Sequence, residues 1–385
     1  MDFGKLRQLM DQMPAYGIPA SEIAVTWHGK EVFRHRAGFS DMARTKPVTE
    51  QDLYWIFSIS KITACISGLR LVEEGKLRLD APVSDYLPEY TDVQVLQADG
   101  TLRTPKSVMT VRHLFAMTCG MDYDLNSPAL QRLRVRDPHF TAADLARALA
   151  EQPLHSDPGE HYCYSLSHDV LAGVVETVSG MRFEDYVRKI IWEPLGMRET
   201  GYHLPREYEK RLTGMYRYVN GVMRPDPMIP PVNDYILSDC HDCGGAGLYS
   251  TVNDQIRFLT VLANGGKTED GYSLLRPETI ALAQTAQLPE SAKPDFVSTR
   301  MYGYSFGLCC RVHVDKFFSR SPSALGEFGW DGAGGSYALV DPANQVAIFF
   351  ATEVRGCQYI YHTLHPLIRN FAYEGMGIGS WVDSY

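Results

Sequence analysis

The sequence has no concentration of positive charge and no long apolar run. Its 37 Lys and Arg are outnumbered by 46 Asp and Glu, for a net charge of −9. The nearest basic cluster, at 132–136, is short, so the charge pattern argues against a nucleic-acid partner. No stretch approaches the ~18 apolar residues of a membrane span, and residues 1–10 lack the apolar core of a signal peptide. We therefore expect no membrane association and a cytoplasmic location.

Cysteine is present, but not in a disulfide or metal-binding pattern. Eight cysteines are scattered along the chain, and without a secretion signal they are expected to be free thiols. Cys240 and Cys243 have zinc-like spacing, and the second ligand pair that zinc needs could come only from Cys309 and Cys310, far away in sequence. We predict no metal and no cofactor.

Strand patterns lie at the two ends of the chain, with a helical and loop-rich block between them. Strands are predicted at 23–27, 31–36, 304–314, 327–330, 336–340 and 346–352, and helices at 62–74, 111–117, 141–152, 165–178, 183–192, 251–263 and 357–373. Segment 203–240 looks irregular. The prediction is an α+β fold, with an antiparallel sheet from the N- and C-terminal segments flanked by helices. Residues 1–79 and 236–385 would form the sheet domain, and 80–235 an inserted, mostly helical domain.

Ser58-Ile59-Ser60-Lys61 is the only Ser-x-x-Lys of the sequence, and it stands where an extended apolar run gives way to a helical one. A serine and a lysine one helical turn apart share a face of the helix. A neutral lysine in that position can take the serine proton and so create a nucleophile. The alternative is an N-cap serine followed by a solvated lysine.

A competing nucleophile is Ser305, within a Gly-x-Ser-x-Gly at 303–307. That signature belongs to a strand–turn–helix elbow. The residues after Gly307 read as strand, so Ser305 is predicted to be an ordinary strand residue.

Two further patterns give the serine a context. A Pro-Gly turn at 158–159 leads to Tyr164 at the entrance of a helix, and 329–335 is a glycine-rich strand of the kind that a ligand approaches closely. With the segments 110–120, 194–197 and 244–251, these motifs make the chain resemble serine hydrolases of the β-lactamase and penicillin-binding-protein superfamily, from about residue 20 to 370. The resemblance is greatest to the class C-like branch, which includes carboxylesterases, D-amino-acid hydrolases and acyltransferases.

The resemblance assigns roles by position. Ser58 matches the acylated nucleophile, Lys61 its neighbouring base, and Tyr164 the tyrosine that exchanges a proton with the leaving group. Residues 330–332 match the third motif, and the backbone N–H groups of Ser58 and Ala333 would form the oxyanion hole. A lysine base at neutral pH needs a pKa lowered by about three units, roughly 4 kcal/mol, which burial and neighbouring cations would supply.

Two departures from the family pattern point to the substrate. Leu166 replaces the asparagine of Tyr-x-Asn, and Trp330 replaces the lysine of Lys-Thr-Gly, which binds the substrate carboxylate in β-lactamases. A more apolar site favours a small uncharged ester over a penicillin or a D-Ala-D-Ala peptide. Trp330, Gly332, Leu166 and Tyr123 are the predicted substrate-binding residues.

Other functions and the oligomeric state stay open at this stage. The alternatives are an acyltransferase, a D-amino-acid peptidase or β-lactamase-type amide hydrolase, and a non-catalytic binding domain. A homo-oligomer is also compatible with the sequence, since the C-terminal segment 374–385, with Trp381 and Tyr385, could dock on its own chain or on a neighbour.

Overall fold

The computed structural model describes residues 1–226 and 233–379. Its strands are β1 (Ala20–Trp27), β2 (Lys30–Gly38), β3 (Tyr54–Trp55), β4 (Val95–Leu96), β5 (Leu102–Arg103), β6 (Tyr216–Val219), β7 (Val222–Pro225), β8 (Tyr249–Ser250), β9 (Tyr304–Gly307), β10 (Cys310–His313), β11 (Phe328–Asp331), β12 (Tyr337–Asp341), β13 (Val346–Ala351) and β14 (Val354–Arg355). Seven of them form one sheet in the order β2-β1-β13-β12-β11-β10-β9.

The α-helices are α1 (Gly4–Gln12), α2 (Ser60–Glu73), α3 (Val111–Phe115), α4 (Pro128–Arg136), α5 (Ala142–Leu149), α6 (Ser167–Ser179), α7 (Phe183–Val187), α8 (Glu193–Leu195), α9 (Val252–Ala263), α10 (Pro277–Ala283), α11 (Lys293–Val297), α12 (Lys316–Ser319) and α13 (His365–Met376). Within the described residues, none of the helices combines the length and the apolar character that a membrane crossing requires.

The main sheet joins the two ends of the chain. β1 pairs antiparallel with β13, with Glu22 opposite Ala351 and Trp27 opposite Val346. Alternate residues of β13 point to opposite faces: Ile348 and Phe350 belong to a core shared with α1 and α13, whereas Ala347 and Phe349 belong to the larger core on the other face. The predicted fold, an antiparallel sheet of N- and C-terminal strands flanked by helices, is confirmed.

Helix α2 lies at the junction between the sheet and the helical segment. It is buried along nearly its whole length and contacts α6 on one side and β10 and β11 on another. Helix α2 packs closely against α3 here, because a Cβ on Gly68 would lie 2.7 Å from the Phe115 ring. The N-terminal end of α2 therefore lies at this junction.

Two local predictions were wrong. The run 304–314, predicted as one strand, is the β9–β10 hairpin, in which Cys310 adopts a positive φ of 65°. The apolar Leu308-Cys309-Cys310 stretch contains none of the usual turn residues, so the sequence of this stretch does not indicate that the chain reverses direction there. In the segment predicted as irregular, β6 and β7 form a hairpin whose β6 pairs parallel with β14.

The domain boundaries at 79/80 and 235/236 stay a prediction. Part of segment 203–240, at 227–232, lies outside the described residues, as do Trp381 and Tyr385. Residues 374–379 of the C-terminal segment are described, and Met376 packs in the core that contains Leu6 of α1. Docking of the remainder, on its own chain or on a neighbour, stays a prediction.

Candidate active site

Ser58 lies in a short 3-10 helix, Phe57–Ile59, directly before α2. The preceding residue, Phe57, is fully buried and has a φ of 45°, a conformation that a bulky residue adopts only when the surroundings hold it there. The Ser60 hydroxyl holds this turn: it donates to the Phe57 carbonyl (2.5 Å) and accepts from the Leu248 N–H (3.0 Å). The Ser58 side chain is thereby presented in a fixed place at the head of the helix.

Ser58, Lys61 and Tyr164 come together around one oxygen atom. The Tyr164 hydroxyl donates to Ser58 Oγ at 2.7 Å, across 106 residues of sequence. Lys61 Nζ donates to the same oxygen at 3.3 Å and stands 4.6 Å from the centre of the Tyr164 ring. The structure thus places the three predicted catalytic side chains in mutual contact.

The environment of Lys61 differs from the expected one. Burial lowers the pKa of Lys61, but Tyr164 and Asp169 outweigh that effect and raise its pKa above the ordinary lysine value. Lys61 Nζ also donates to the Gly245 carbonyl at 2.7 Å, and Gly245 is held by Asp169 through its N–H (3.1 Å). The expected lowering assumed further cations in the site, whereas the neighbours here are acceptors and a carboxylate. We therefore treat Lys61 as an ammonium group in the resting site.

Trp330 contacts the tyrosine rather than only lining the site. Its indole Nε1 donates to the Tyr164 oxygen at 3.2 Å, and the two rings stack with centroids 5.7 Å apart. The next residue, Asp331, turns its carboxylate away to Arg311 at 2.9 Å. A neutral N–H donor therefore stands where the family pattern has a lysine, a contact that no local sequence signal could have revealed.

A cavity of about 420 Å³, hereafter the active-site cavity, opens above Ser58. Aromatic side chains dominate its lining: Tyr123, Tyr162, Tyr164, Tyr235, Tyr361 and Trp330. Such a lining suits an apolar ligand with a few polar contacts.

Three of the four predicted substrate-binding residues, Trp330, Gly332 and Tyr123, line this cavity, as does Ala333. Leu166 does not. It is 2% exposed, packs in the helical core and stands at the N-cap of α6. Its predicted part in substrate binding therefore has no support in the geometry, because the side chain points inward from the start of the helix.

The turn that follows β11 lies against the nucleophile segment. A Cβ on Gly332 would come within 2.5 Å of the Ile56 carbonyl oxygen, so glycine is needed for this approach. Tyr361 Oη donates to the carbonyls of Gly332 and Ala333 at 3.0 Å each. Within the described residues, no acceptor takes the Ala333 N–H, which is what an oxyanion-hole donor requires. The predicted glycine-rich strand is in fact a strand end followed by this turn.

The four cysteines considered for zinc do not meet in the described part of the chain. Cys243 lies with Asp169 and His241, whereas Cys310 lies with Cys65 and His168. The Cys243 thiol donates to Asp169 (3.2 Å), and burial raises its pKa well above the usual value, which disfavours the thiolate that metals bind. The absence of a metal stays a prediction.

Ser305 has no catalytic surroundings. It lies within β9, opposite Val312 of β10, and is 7% exposed. A residue in the middle of a hairpin strand cannot occupy a strand–turn–helix elbow.

Comparisons with known proteins extend along most of the chain. The sequence profile of the family described as Beta-lactamase matches residues 6–356. Protein Rv1367c of Mycobacterium tuberculosis is 30% identical over 350 residues, covering 88% of this chain and 86% of that protein. Esterase EstB of Burkholderia gladioli is 29% identical over 374 residues, covering 91% and 86%. The structure of EstCE1, a hydrolase with promiscuous acyltransferase activity, superposes with a TM-score of 0.79 at 25% identity, covering 96% and 97%. The chain therefore belongs to the Beta-lactamase family and has the fold of its serine hydrolases.

Proposed function

We propose that this protein is a serine carboxylesterase that forms an acyl-enzyme on Ser58. The observation that carries the proposal is the convergence of Tyr164 Oη (2.7 Å) and Lys61 Nζ (3.3 Å) on the Ser58 oxygen. A nucleophile within hydrogen-bond reach of a base that is itself held by other groups is the general arrangement for covalent catalysis.

In this proposal Tyr164 moves the proton. The reactive form has Tyr164 as a phenolate, its own proton having been released to solvent, so that the Ser58 hydroxyl donates to it. As Ser58 Oγ attacks the ester carbonyl, the Ser58 proton passes to the Tyr164 oxygen and then to the departing alcohol, which restores the phenolate. Water then attacks the acyl-enzyme and gives its proton to Tyr164, which returns it to Ser58 Oγ as the acid is released. The Lys61 ammonium and the Trp330 N–H both favour negative charge on the tyrosine oxygen. The N–H groups of Ser58 and Ala333 would hold the oxyanion of each tetrahedral intermediate.

The proposed substrates are small carboxylic esters that carry no charge beside the scissile bond. Trp330 provides an aromatic surface at the position of the motif lysine, so a carboxylate next to the reacting carbonyl would lack the usual counter-ion there. The similarity to Esterase EstB supports an ester rather than a lactam.

The test compares two substrates and two serine variants. We expect the protein to hydrolyse 4-nitrophenyl butyrate and to turn over nitrocefin poorly. Ser58→Ala should abolish ester hydrolysis, while Ser305→Ala, a matched change in a buried strand, should leave kcat near the wild-type value. Efficient nitrocefin hydrolysis with poor ester hydrolysis would overturn the substrate assignment.

Acyl transfer is the second candidate function, favoured by the similarity to EstCE1. The acyl-enzyme would then be attacked by an alcohol or amine instead of water. Adding 1-butanol or an amine and measuring how the acyl group divides between acid and transfer product separates the two. A transfer product that predominates at low acceptor concentration would make the protein an acyltransferase.

A further inference from the structure

A second cavity of about 360 Å³ lies beside the active-site cavity. The two share Met301, Asp331, Tyr361 and His362 in their linings. A molecule bound at Ser58 thus has a neighbouring space into which another part of it could extend.

Buried positive charge distinguishes the second cavity from the active-site cavity. Its lining includes Arg311 and Arg369, each only 4% exposed. Arg311 is balanced by two carboxylates, Asp331 at 2.9 Å and Glu327 at 3.5 Å. Its charge is therefore satisfied within the protein.

Arg369 has only neutral hydrogen-bond partners. It donates to Tyr304 Oη (2.7 Å), Asn370 Oδ1 (3.0 Å) and the Ser319 carbonyl (3.4 Å). Among residues 1–226 and 233–379, no carboxylate oxygen lies within 4.0 Å of its nitrogens. Burying a charged group is costly unless an opposite charge is paired with it. The nearest carboxylate is reached only through Tyr304, whose hydroxyl donates to Glu327 Oε2 at 3.1 Å. A buried guanidinium that lines a cavity and has no direct carboxylate partner offers a site for an anion.

One further cation points to the same ligand. His365 also lines the second cavity, but it already has partners, since its Nδ1 stands 3.4 Å from Asp331 Oδ1 and its Nε2 is 2.9 Å from the Gly335 carbonyl. Arg300, an exposed residue, stands in the lining as well. The remaining walls include Tyr304 and Tyr337, which suit the carbon skeleton of an organic acid better than an inorganic ion.

We propose that the second cavity binds a carboxylate of the substrate itself, so that the preferred substrates are esters with a carboxylate remote from the scissile bond. This rests on the proposed esterase function. The cations that would hold the carboxylate, Arg369 and Arg300, line the second cavity, whereas Trp330 lines only the active-site cavity. A charge is therefore excluded beside the reacting carbonyl and accepted further along the same molecule.

The experiment compares matched esters with and without the remote charge. 4-Nitrophenyl butyrate is compared with mono-4-nitrophenyl glutarate, which places the carboxylate on the acid half. Phenyl butyrate is compared with the butyrate ester of 3-hydroxybenzoate, which places it on the alcohol half. A charge-assisted hydrogen bond predicts about a tenfold to hundredfold higher kcat/KM for at least one charged ester.

Variants test which residues provide that preference. Arg369→Lys and the exposed change Arg300→Gln should each reduce the ratio of charged to neutral kcat/KM by about tenfold and leave the neutral ester unchanged. Because Arg369 is buried, the melting temperature of the Arg369→Lys variant is measured as well. If that variant does not fold, Arg300→Gln still tests the proposal. Arg132→Gln, an exposed arginine of α4, is the control and should change nothing.

The outcomes separate the two proposals. If neutral esters are hydrolysed but neither charged ester is preferred, the remote-carboxylate proposal is wrong and the esterase proposal stands. If free glutarate changes neutral-ester turnover in an Arg369-dependent way while the charged esters gain nothing, the cavity binds a separate anion and the proposal is also wrong. If no ester is hydrolysed, the esterase proposal fails. Stabilisation of the protein by glutarate, lost in Arg300→Gln, would then still show that the cavity binds carboxylates.

Discussion

Trp330 removes a charge from the site while retaining a hydrogen-bond donor to Tyr164. The indole N–H reaches the tyrosine oxygen at 3.2 Å, and Lys61 is the only cation in contact with Ser58 in the described part of the chain. The polar groups beside Tyr164 are therefore a single ammonium, the Ser58 hydroxyl and a neutral donor. The family motif alone indicated only that the lysine charge is lost at this position. The hydrogen bond from the Trp330 indole to Tyr164 is a tertiary contact, so the motif could not predict it.

Substituting Trp330 with phenylalanine should separate the donor from the aromatic surface. Trp330→Phe keeps a ring against Tyr164 but removes the N–H, so kcat should fall by about tenfold, the equivalent of one lost hydrogen bond of ~1.4 kcal/mol. KM for 4-nitrophenyl butyrate should change little. Trp27→Phe, at the end of β1, is the control. An unchanged kcat in Trp330→Phe would mean that the hydrogen bond has no part in the reaction.

Tyr164 and Tyr123 offer a matched pair of hydroxyl deletions. Their rings stack at 5.4 Å, but only Tyr164 contacts Ser58, while Tyr123 accepts from Lys61 at 3.4 Å. Tyr164→Phe should lower kcat by about 10²–10⁴-fold, the usual loss of a general acid–base group. Tyr123→Phe should lower it by less than about tenfold. Equal effects of the two changes in steady-state kinetics would contradict the assignment of Tyr164 as the proton carrier.

At the scale of elements, Glu353 links the segments that carry the two proposed oxyanion donors. It follows β13 and is 2% exposed; its Oε1 accepts the Trp55 N–H at 2.5 Å, close to the Ser58 turn. A Cβ on Gly334 would lie 2.7 Å from its other oxygen, so Glu353 also packs directly against the turn that bears Ala333. Burial raises the pKa of Glu353 well above its usual value, which favours the neutral carboxylic acid.

This neutral state predicts different results for two substitutions at the same position. Glu353→Gln keeps the acceptor and the volume, and kcat and stability should stay near wild type. Glu353→Ala leaves the buried Trp55 N–H without a partner, which should cost about 1–3 kcal/mol of unfolding free energy. It should also lower kcat more than KM changes, because the turn shifts. Steady-state kinetics and urea unfolding of both variants measure these effects. A Glu353→Gln variant as impaired as Glu353→Ala would show that the carboxylate charge is required.

Helix ends could be predicted where a capping residue is present. Turns could not be predicted where the usual turn residues are missing. Thr141 and Thr251 cap α5 and α9 with their side chains, and Gly180 ends α6 in the left-handed conformation. By contrast, the reversal between β9 and β10 passes through Cys310, a residue with no preference for positive φ. Such a turn is set by strand pairing, which depends on residues distant in sequence.

At the scale of the whole molecule, the site was predictable because its parts are short ordered motifs, but its electrostatics were not. The positions of Ser58, Lys61 and Tyr164 followed from the motif order. The raised pKa of Lys61 depends on Asp169 and Tyr164, more than a hundred residues away, and so required the tertiary structure.

Buried His241 should make the stability of the whole protein sensitive to mild acid. It is 1% exposed, and burial lowers its pKa to about 4. Below the ordinary histidine pKa of ~6.5 the unfolded chain binds a proton that the folded protein does not. Stability should therefore fall as pH drops from 6.5 towards 4, by about 2 kcal/mol at pH 5. Urea unfolding at pH 7 and 5 of wild type and His241→Gln measures this, and parallel pH dependences in the two proteins would disprove it.

The acyl-enzyme on Ser58 is the claim on which the other proposals depend, and intact-protein mass spectrometry with a fluorophosphonate probe tests it most directly. We predict one adduct per chain, mapped by peptide sequencing to Ser58 and absent in Ser58→Ala, with labelling slowed in Tyr164→Phe. An adduct on Ser305, or a folded protein that takes up no probe, would contradict the account.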